Sequence, residues 1–219
     1  MLTKDFVNNA FILATGKTTV AEALEQSKKF RVPQIPVCVN GVCGLLYNSD
    51  LVLFAPDAIL SEAFHLMHKV QLSADDHIWK SLRSFRDYEA RALPVVDLDN
   101  KTIGVVLLRD VSMHIFDIFN VGSDGAILEL EVSYNSYSLS ELSGIVETAG
   151  AKITLLSVFP IDESARVKVV FGIDKNDASE IIQSLERYEY QVNAWYMNKG
   201  KIDDIIEERY DAFMNFINV

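Results

Sequence analysis

The stretch Leu93–Val111, LPVVDLDNKTIGVVLLRDV, decides how the rest of the chain is read. It has the pattern of a buried strand, a turn, a second buried strand and the start of a helix, with Asp110 at the last junction. The same pattern occurs earlier as Ile35–Leu51, IPVCVNGVCGLLYNSDL. Thr15 and Ser73, Val20 and Ile78, Leu24 and Leu82, Ile35 and Leu93, and Pro36 and Pro94 all match at an offset of 58. The turn Asp97–Lys101 then exceeds Asn40-Gly41, and Gly44 matches Gly104 and Asp50 matches Asp110 at an offset of 60. A constant offset that breaks once, inside a turn, is the mark of a duplicated unit.

Each copy predicts one helix, two strands and a second helix. Thr18-Thr19 and Asp75-Asp76 are the expected caps of the first helices, whose apolar faces include Val20, Ala23 and Leu24, or Ile78 and Leu82. The strands Pro36–Val39, Cys43–Leu46, Pro94–Val96 and Ile103–Leu107 are nearly continuously apolar, so both of their faces should be covered. A second helix is expected to start at each aspartate, and Ala58–Lys69 reads as a helix linking the copies.

The 219 residues exceed the usual size of one domain and predict two compact units. A formal net charge of −11, with no basic stripe to offset it, repels phosphate backbones and argues against nucleic acid as a partner. No apolar run approaches bilayer length, and the first residues, MLTKDFVNN, lack the apolar core of a signal peptide. No membrane partner and a cytoplasmic location are therefore expected. Cys38 and Cys43 flank a two-residue Asn-Gly hairpin and face each other across it, yet in a cytoplasmic protein they should remain reduced, as small buried apolar groups.

Beyond a Gly-rich junction at Val121–Gly125 the pattern changes. Alternation at Leu128, Leu130 and Val132 predicts a half-buried strand. Ser138–Thr148 predicts a helix with capping-box spacing between Ser138 and Glu141, stopped at Gly150. Strands at Lys152–Phe159 and Arg166–Ile173, a helix at Asp177–Tyr188 and a strand at Tyr190–Tyr196 complete the order βαββαβ. Glu129 and Glu131 should pair across strands with Arg166 and Lys168. Lys201–Val219 places Ile202, Ile205, Ile206, Phe213, Phe216 and Ile217 on one stripe and predicts an amphipathic helix that docks on a domain or a second subunit.

The doubled set of Ser/Thr, Val/Ile-x-x-x-Leu, apolar-Pro-Val and Gly-x-x-x-x-x-Asp resembles a tandem pair of CBS domains over residues 1–122. These are βαββα modules that associate about a pseudo-two-fold axis. Ser138-Leu139-Ser140-Glu141 and Gly150-Ala151-Lys152-Ile153, in a βαββαβ order, resemble an ACT domain. The whole resembles bacterial regulatory CBS-ACT proteins, which include the acetoin-utilisation accessory proteins. The implied fold class is α+β: CBS repeats over 1–61 and 62–122 in a pseudo-two-fold pair, a ferredoxin-like ACT domain over 126–197, and a C-terminal helix over 201–219.

The resemblance also implies a site. Asp50 and Asp110 match the aspartate that hydrogen-bonds ribose hydroxyls, a role a carboxylate fills by accepting two protons at once. Ile35-Pro36 and Leu93-Pro94 match residues lining an adenine slot, Thr15 and Ser73 match a hydroxyl position, and Arg109 matches a basic position that faces phosphate. The hydroxyl residue usual three places before the aspartate is replaced by Tyr47 and Leu107, and Ser49 stands where the second copy has Arg109. The resemblance implies a regulatory ligand from the adenine nucleotides and their relatives: AMP, ADP, ATP, NADH or S-adenosylmethionine. It also implies a homodimer and an unidentified downstream protein.

In the ACT-like part, Tyr137 stands where a glycine usually admits an amino acid to the backbone, and Lys152 at a position often Asn. His65 and His68 lie three apart without a third ligand, and no metal site is expected. No nucleophile elbow, P-loop or dinucleotide fingerprint is present, so the chain is read as a regulatory protein and not an enzyme. The contrasting expectation is a ligand-free interaction module whose clefts have degenerated, or amino-acid sensing through the ACT-like part.

Overall fold

In this computed structural model the residues described are 1–120, 122, 124–161 and 165–196. The expected C-terminal helix falls outside them. The chain divides into two compact units, residues 1–116 and 117–219.

The first unit contains two repeats of one plan. In the first, β1 (Ala14–Thr15) runs parallel to β2 (Gln34–Val39), which forms a hairpin with β3 (Val42–Tyr47). The second repeat does the same with β5 (Leu72–Ser73), β6 (Ala92–Val96) and β7 (Thr102–Leu107). Even the register is copied: Ala14 pairs with Val37 and Leu72 with Val95. Helices α1 (Val20–Phe30) and α3 (Ile78–Asp87) follow the first strands, and α2 (Asn48–Leu51) and α4 (Leu108–Ile118) follow the hairpins.

Each repeat buries its own core, one around Ile35, Val37, Leu46 and Leu60, the other around Leu72, Phe85, Leu93 and Val106. A further cluster of Phe11, Phe30, Val32, Ala92, Val105 and Leu107 joins residues of both repeats. The first hairpin turns at Asn40 and Gly41, both with positive φ, the signature of a tight turn whose twist suits antiparallel strands. It sets Cys38 opposite Cys43 with their Cα atoms 4.1 Å apart, and the two sulfurs form a disulfide. Reduced cysteines were expected. Proximity on adjacent strands brings the thiols together.

The linking helix expected at Ala58–Lys69 is not formed. Ala58 O, which a helix would offer to Glu62 N, accepts instead from Val20 N, and Leu60 N and Ser61 N tie the segment to Thr18 O and Gly16 O of the first repeat. The segment instead makes turns that bury Leu60 and Ala63, a short 3-10 turn at Phe64–Leu66, and strand β4 (His68–Lys69) on the edge of β3. Asp75 and Asp76 do not cap α3. They hold Lys4 and Lys80, and His77 is the N-cap. The second helices begin two residues before each aspartate, and α2 has four residues against eleven in α4.

The second unit has the order β8 (Ile127–Ser133), α5 (Leu139–Thr148), β9 (Ile153–Pro160), β10 (Arg166–Ile173), α6 (Ser179–Arg187) and β11 (Gln191–Tyr196). Its antiparallel sheet has the strand order β11-β8-β10-β9. Leu128, Leu130, Val169 and Phe171 form one core with Leu142, Val146, Ile181 and Leu185 from the two helices. The charge pairs are present as Arg166–Glu131 at 2.9 Å and Lys168–Glu129 at 3.3 Å. Ser138 caps α5 by accepting from Glu141 N, but the Glu141 carboxylate takes the Tyr190 hydroxyl at 2.6 Å instead of closing a capping box. The fold is α+β throughout.

Candidate functional site

The two repeats create two related places, at the start of α2 and of α4, each facing the end of the other repeat's first helix. The place at α4 is open. A cavity of about 640 Å³ is lined by Phe30, Arg31 and Val32 from the first repeat and by Arg91 and residues Leu107–Asp110, Ser112, Met113 and Phe116 from the second. This volume is within the range of small-molecule sites, roughly 300–1,000 Å³.

Its chemistry comes from three arginines and one carboxylate. Arg31 ends α1 with φ 55°, the left-handed conformation common just past a helix. Arg91 lies in the loop before β6. Neither is ion-paired among the described residues. Arg109 lies over the Phe30 ring at 5.6 Å and places Nε 3.3 Å from Asp110 Oδ1. Buried Phe30 and Val32, with exposed Met113 and Phe116, supply apolar wall. In a chain of net charge −11, such a local excess of guanidinium groups favours an anion.

At the other place the corresponding residues are changed and tied. Tyr88, Glu89 and Ala90 match Phe30, Arg31 and Val32, so an acid stands where the open cleft has an arginine. The Tyr47 hydroxyl donates to Tyr88 O at 3.2 Å, and the Tyr47 ring meets His68 edge-on at 5.2 Å. Buried Gln34 donates to Glu89 O at 3.0 Å and accepts from Arg91 N at 3.3 Å. Their counterparts in the open cleft, Leu107 and Ala92, make neither bond.

The structure brings Arg109 and Asp110 into one cavity and leaves the other sequence-derived candidates outside its lining. Ile35, Pro36, Leu93 and Pro94 are buried within the strands, Ile35 and Leu93 completely. Thr15 forms a local turn with Thr18 and Lys17, and Ser73 O accepts from Asp76 N. Asp50 lies in the first turn of α2, with no side-chain hydrogen bond among the described residues. Among the residues missed were Phe30, Arg31, Val32, Arg91, Met113 and Phe116. The offset of 58 that relates Arg31 to Glu89 was the available signal for the asymmetry. Among the described residues no group of His, Cys, Asp and Glu could hold a metal, and no helix is long and apolar enough to cross a membrane.

In the second unit, a smaller cavity of about 330 Å³ beside the β8–α5 loop is lined by Glu131, Glu141, Glu189 and Arg166 among others. Arg166 is already paired with Glu131, so this cavity offers little to a free carboxylate. Burial and the Glu141 carboxylate push the Tyr190 phenol up to about 12.

Among known families, the CBS domain matches residues 63–117. Inosine-5'-monophosphate dehydrogenase of Aquifex aeolicus is 29% identical over 99 residues, 43% of this chain; the matched stretch spans 20% of that enzyme's length. Among solved structures, a CBS domain pair/ACT domain protein of Thermotoga maritima is 23% identical, with a TM-score of 0.47, over 53% of this chain and 98% of that one. The CBS domains of a transcriptional regulator from Streptococcus pneumoniae are 18% identical, with a TM-score of 0.44, over 52% of this chain and 98% of that one.

Proposed function

We propose that this chain is a non-enzymatic regulatory protein of the tandem-CBS type that binds one adenine nucleotide beside Asp110. The observation that carries this reading is the cavity holding Arg31, Arg91 and Arg109 around a single carboxylate. The arginines would take phosphate and Asp110 would accept the ribose hydroxyls, with Phe30, Val32 and Met113 as apolar wall for the base. AMP, ADP, ATP, NADH and S-adenosylmethionine are the ligands to distinguish. Signalling would run through the ACT-like second unit or a partner protein, in a cytoplasmic homodimer, and requires that the ligand bind two conformations unequally.

The tied cleft at Asp50 favours a second role for the first repeat, as a fixed partner that completes the second repeat's site. Thermal unfolding with each nucleotide tests the reading. A ligand at a hundredfold excess over its Kd stabilises by about 2.7 kcal/mol. A shift with an adenine nucleotide that Asp110→Ala abolishes supports it. An unmoved curve with all five ligands rejects it in favour of a ligand-free interaction module, and a shift with amino acids alone moves the function to the second unit.

A further inference from the structure

We infer that Asn8 is a positioning residue of the Asp110 site, and that the segment before the first repeat is a built support of that site, holding Asp110 from outside the cavity lining. The inference rests on the nucleotide reading for its consequence, but not for its geometry.

The segment runs along the second repeat from α3 to β7. Leu2 bridges to His77, and Thr3 Oγ1 bonds Asp76 O at 3.0 Å and the Ser81 hydroxyl at 2.6 Å. Lys4 pairs with Asp75, and Val7 bridges to Val106. Asn8 N then donates to Val105 O at 2.8 Å, which fixes the backbone beside the site. Phe11 ends the segment, buried against Phe30 with ring centres 4.7 Å apart.

Within this frame the Asn8 side chain is held at both ends. Its Oδ1 accepts from Ala10 N at 3.0 Å and Phe11 N at 3.1 Å, so the amide nitrogen is directed by the turn. That nitrogen donates to Asp110 Oδ2 at 2.7 Å, while Arg109 approaches the other oxygen. A carboxylate oxygen has two acceptor sites. One donor on each oxygen fixes the plane of Asp110 and leaves each oxygen able to accept from a ligand hydroxyl.

The first repeat lacks this arrangement. By strand register the counterpart of Asn8 is His68, which lies opposite Leu45 as Asn8 lies beside Val105. His68 faces the Tyr47 ring, and the Asp50 carboxylate has no donor among the described residues. The aspartate that is held is the one in the open, arginine-rich cleft.

The test uses the full chain with Asn8→Ala, Asn8→Asp, Asp110→Ala and Asn9→Ala, titrated with ATP by calorimetry. Asn8→Asp keeps the acceptor for Ala10 and Phe11 but replaces the donor with a second carboxylate. Both Asn8 variants should weaken ATP at least about tenfold, as loss of a charged hydrogen bond implies, with Asn8→Asp the weaker, while exposed Asn9→Ala binds as wild type. If both Asn8 variants bind ATP as wild type does and Asp110→Ala does not, the inference fails and the nucleotide reading stands. If no adenine nucleotide binds the wild type, that reading fails and the inference is judged on the Asn8 carboxamide protons by NMR. They should be slow to exchange in the wild type and fast in Asp110→Ala; indifference to Asp110 would overturn it.

Discussion

The Tyr47 hydroxyl reaches across to the Tyr88 carbonyl at 3.2 Å, and with Gln34 on Glu89 it ties the first repeat's strands to the second repeat's loop. The equivalent segment, Phe30–Val32, makes no such tie to the second repeat's strands and lines a cavity, Leu107 and Ala92 standing where the first repeat has Tyr47 and Gln34. One duplicated plan thus yields one closed cleft and one open one.

Nucleotide binding should therefore saturate at one molecule per chain. Asp110→Ala should weaken it at least about tenfold, since a lost charged hydrogen bond costs about 1.5–3 kcal/mol. Asp50→Ala should leave the affinity within about twofold, a change below 0.5 kcal/mol. Calorimetric titration, which reports stoichiometry and affinity together, checks all three, and two equivalent sites per chain would contradict the asymmetry.

Arg31 and Arg91 are assigned to phosphate. Each replaced by alanine should cost about tenfold in ATP affinity, and adenosine should bind the variants and the wild type alike. ATP affinity should also fall as salt rises, because the exposed guanidinium groups are screened. Equal losses for adenosine and ATP would place the arginines elsewhere than on the phosphates.

Much of this architecture is local and so was readable. The Asn40-Gly41 turn, the cap at Ser138 and the stop at Gly150 each depend on residues close in sequence, and the offsets of 58 and 60 are one such local pattern written twice. What could not be read depends on where distant backbone bonds go. Ala58–Lys69 has helical spacing, but Ala58 O, Leu60 N and Ser61 N bond to Val20, Thr18 and Gly16. Ile35-Pro36 and Leu93-Pro94 marked the right strands yet lie inside them, and the cavity is walled by the adjoining loop residues. The bond from Asn8 to Asp110 has no local signature, since the two are 102 positions apart.

Tyr190 gives the second unit an alkaline limit. Burial, then the hydrogen bond to Glu141, raises its phenol from about 10 when unfolded to about 12. Between those values the unfolded chain loses the proton and the folded one keeps it, so this contribution is complete below pH 10 and is lost as the pH rises to about 12. Tyr190→Phe should cost about 1 kcal/mol at neutral pH and flatten that alkaline decline. Denaturant unfolding at a series of pH values measures both.

The disulfide across the first hairpin closes a short loop, with Cys38 and Cys43 five apart in sequence. The chain-entropy relation gives about 2 kcal/mol for a loop of that size. Reduction by dithiothreitol should lower the stability of the first unit by that amount, and Cys38→Ser should make the protein indifferent to reductant. The open cleft draws none of its lining from this hairpin, so ATP affinity should not change on reduction.

Gly104 links the strands of the second repeat to the segment that carries Asn8. A Cβ there would strike the side chain of Val7, the residue that bridges to Val106, and the backbone has φ 151°, which side chains rarely adopt. Gly104→Ala should therefore displace the segment, destabilise the first unit by about 1–3 kcal/mol and weaken ATP along with it. Adding Val7→Ala removes the obstruction but not the backbone strain, so the double variant should recover part of the stability. Equal losses in the single and double variants would assign the cost to φ alone. Recovery of ATP binding in the double variant would show that the segment, and Asn8 with it, had returned to its place.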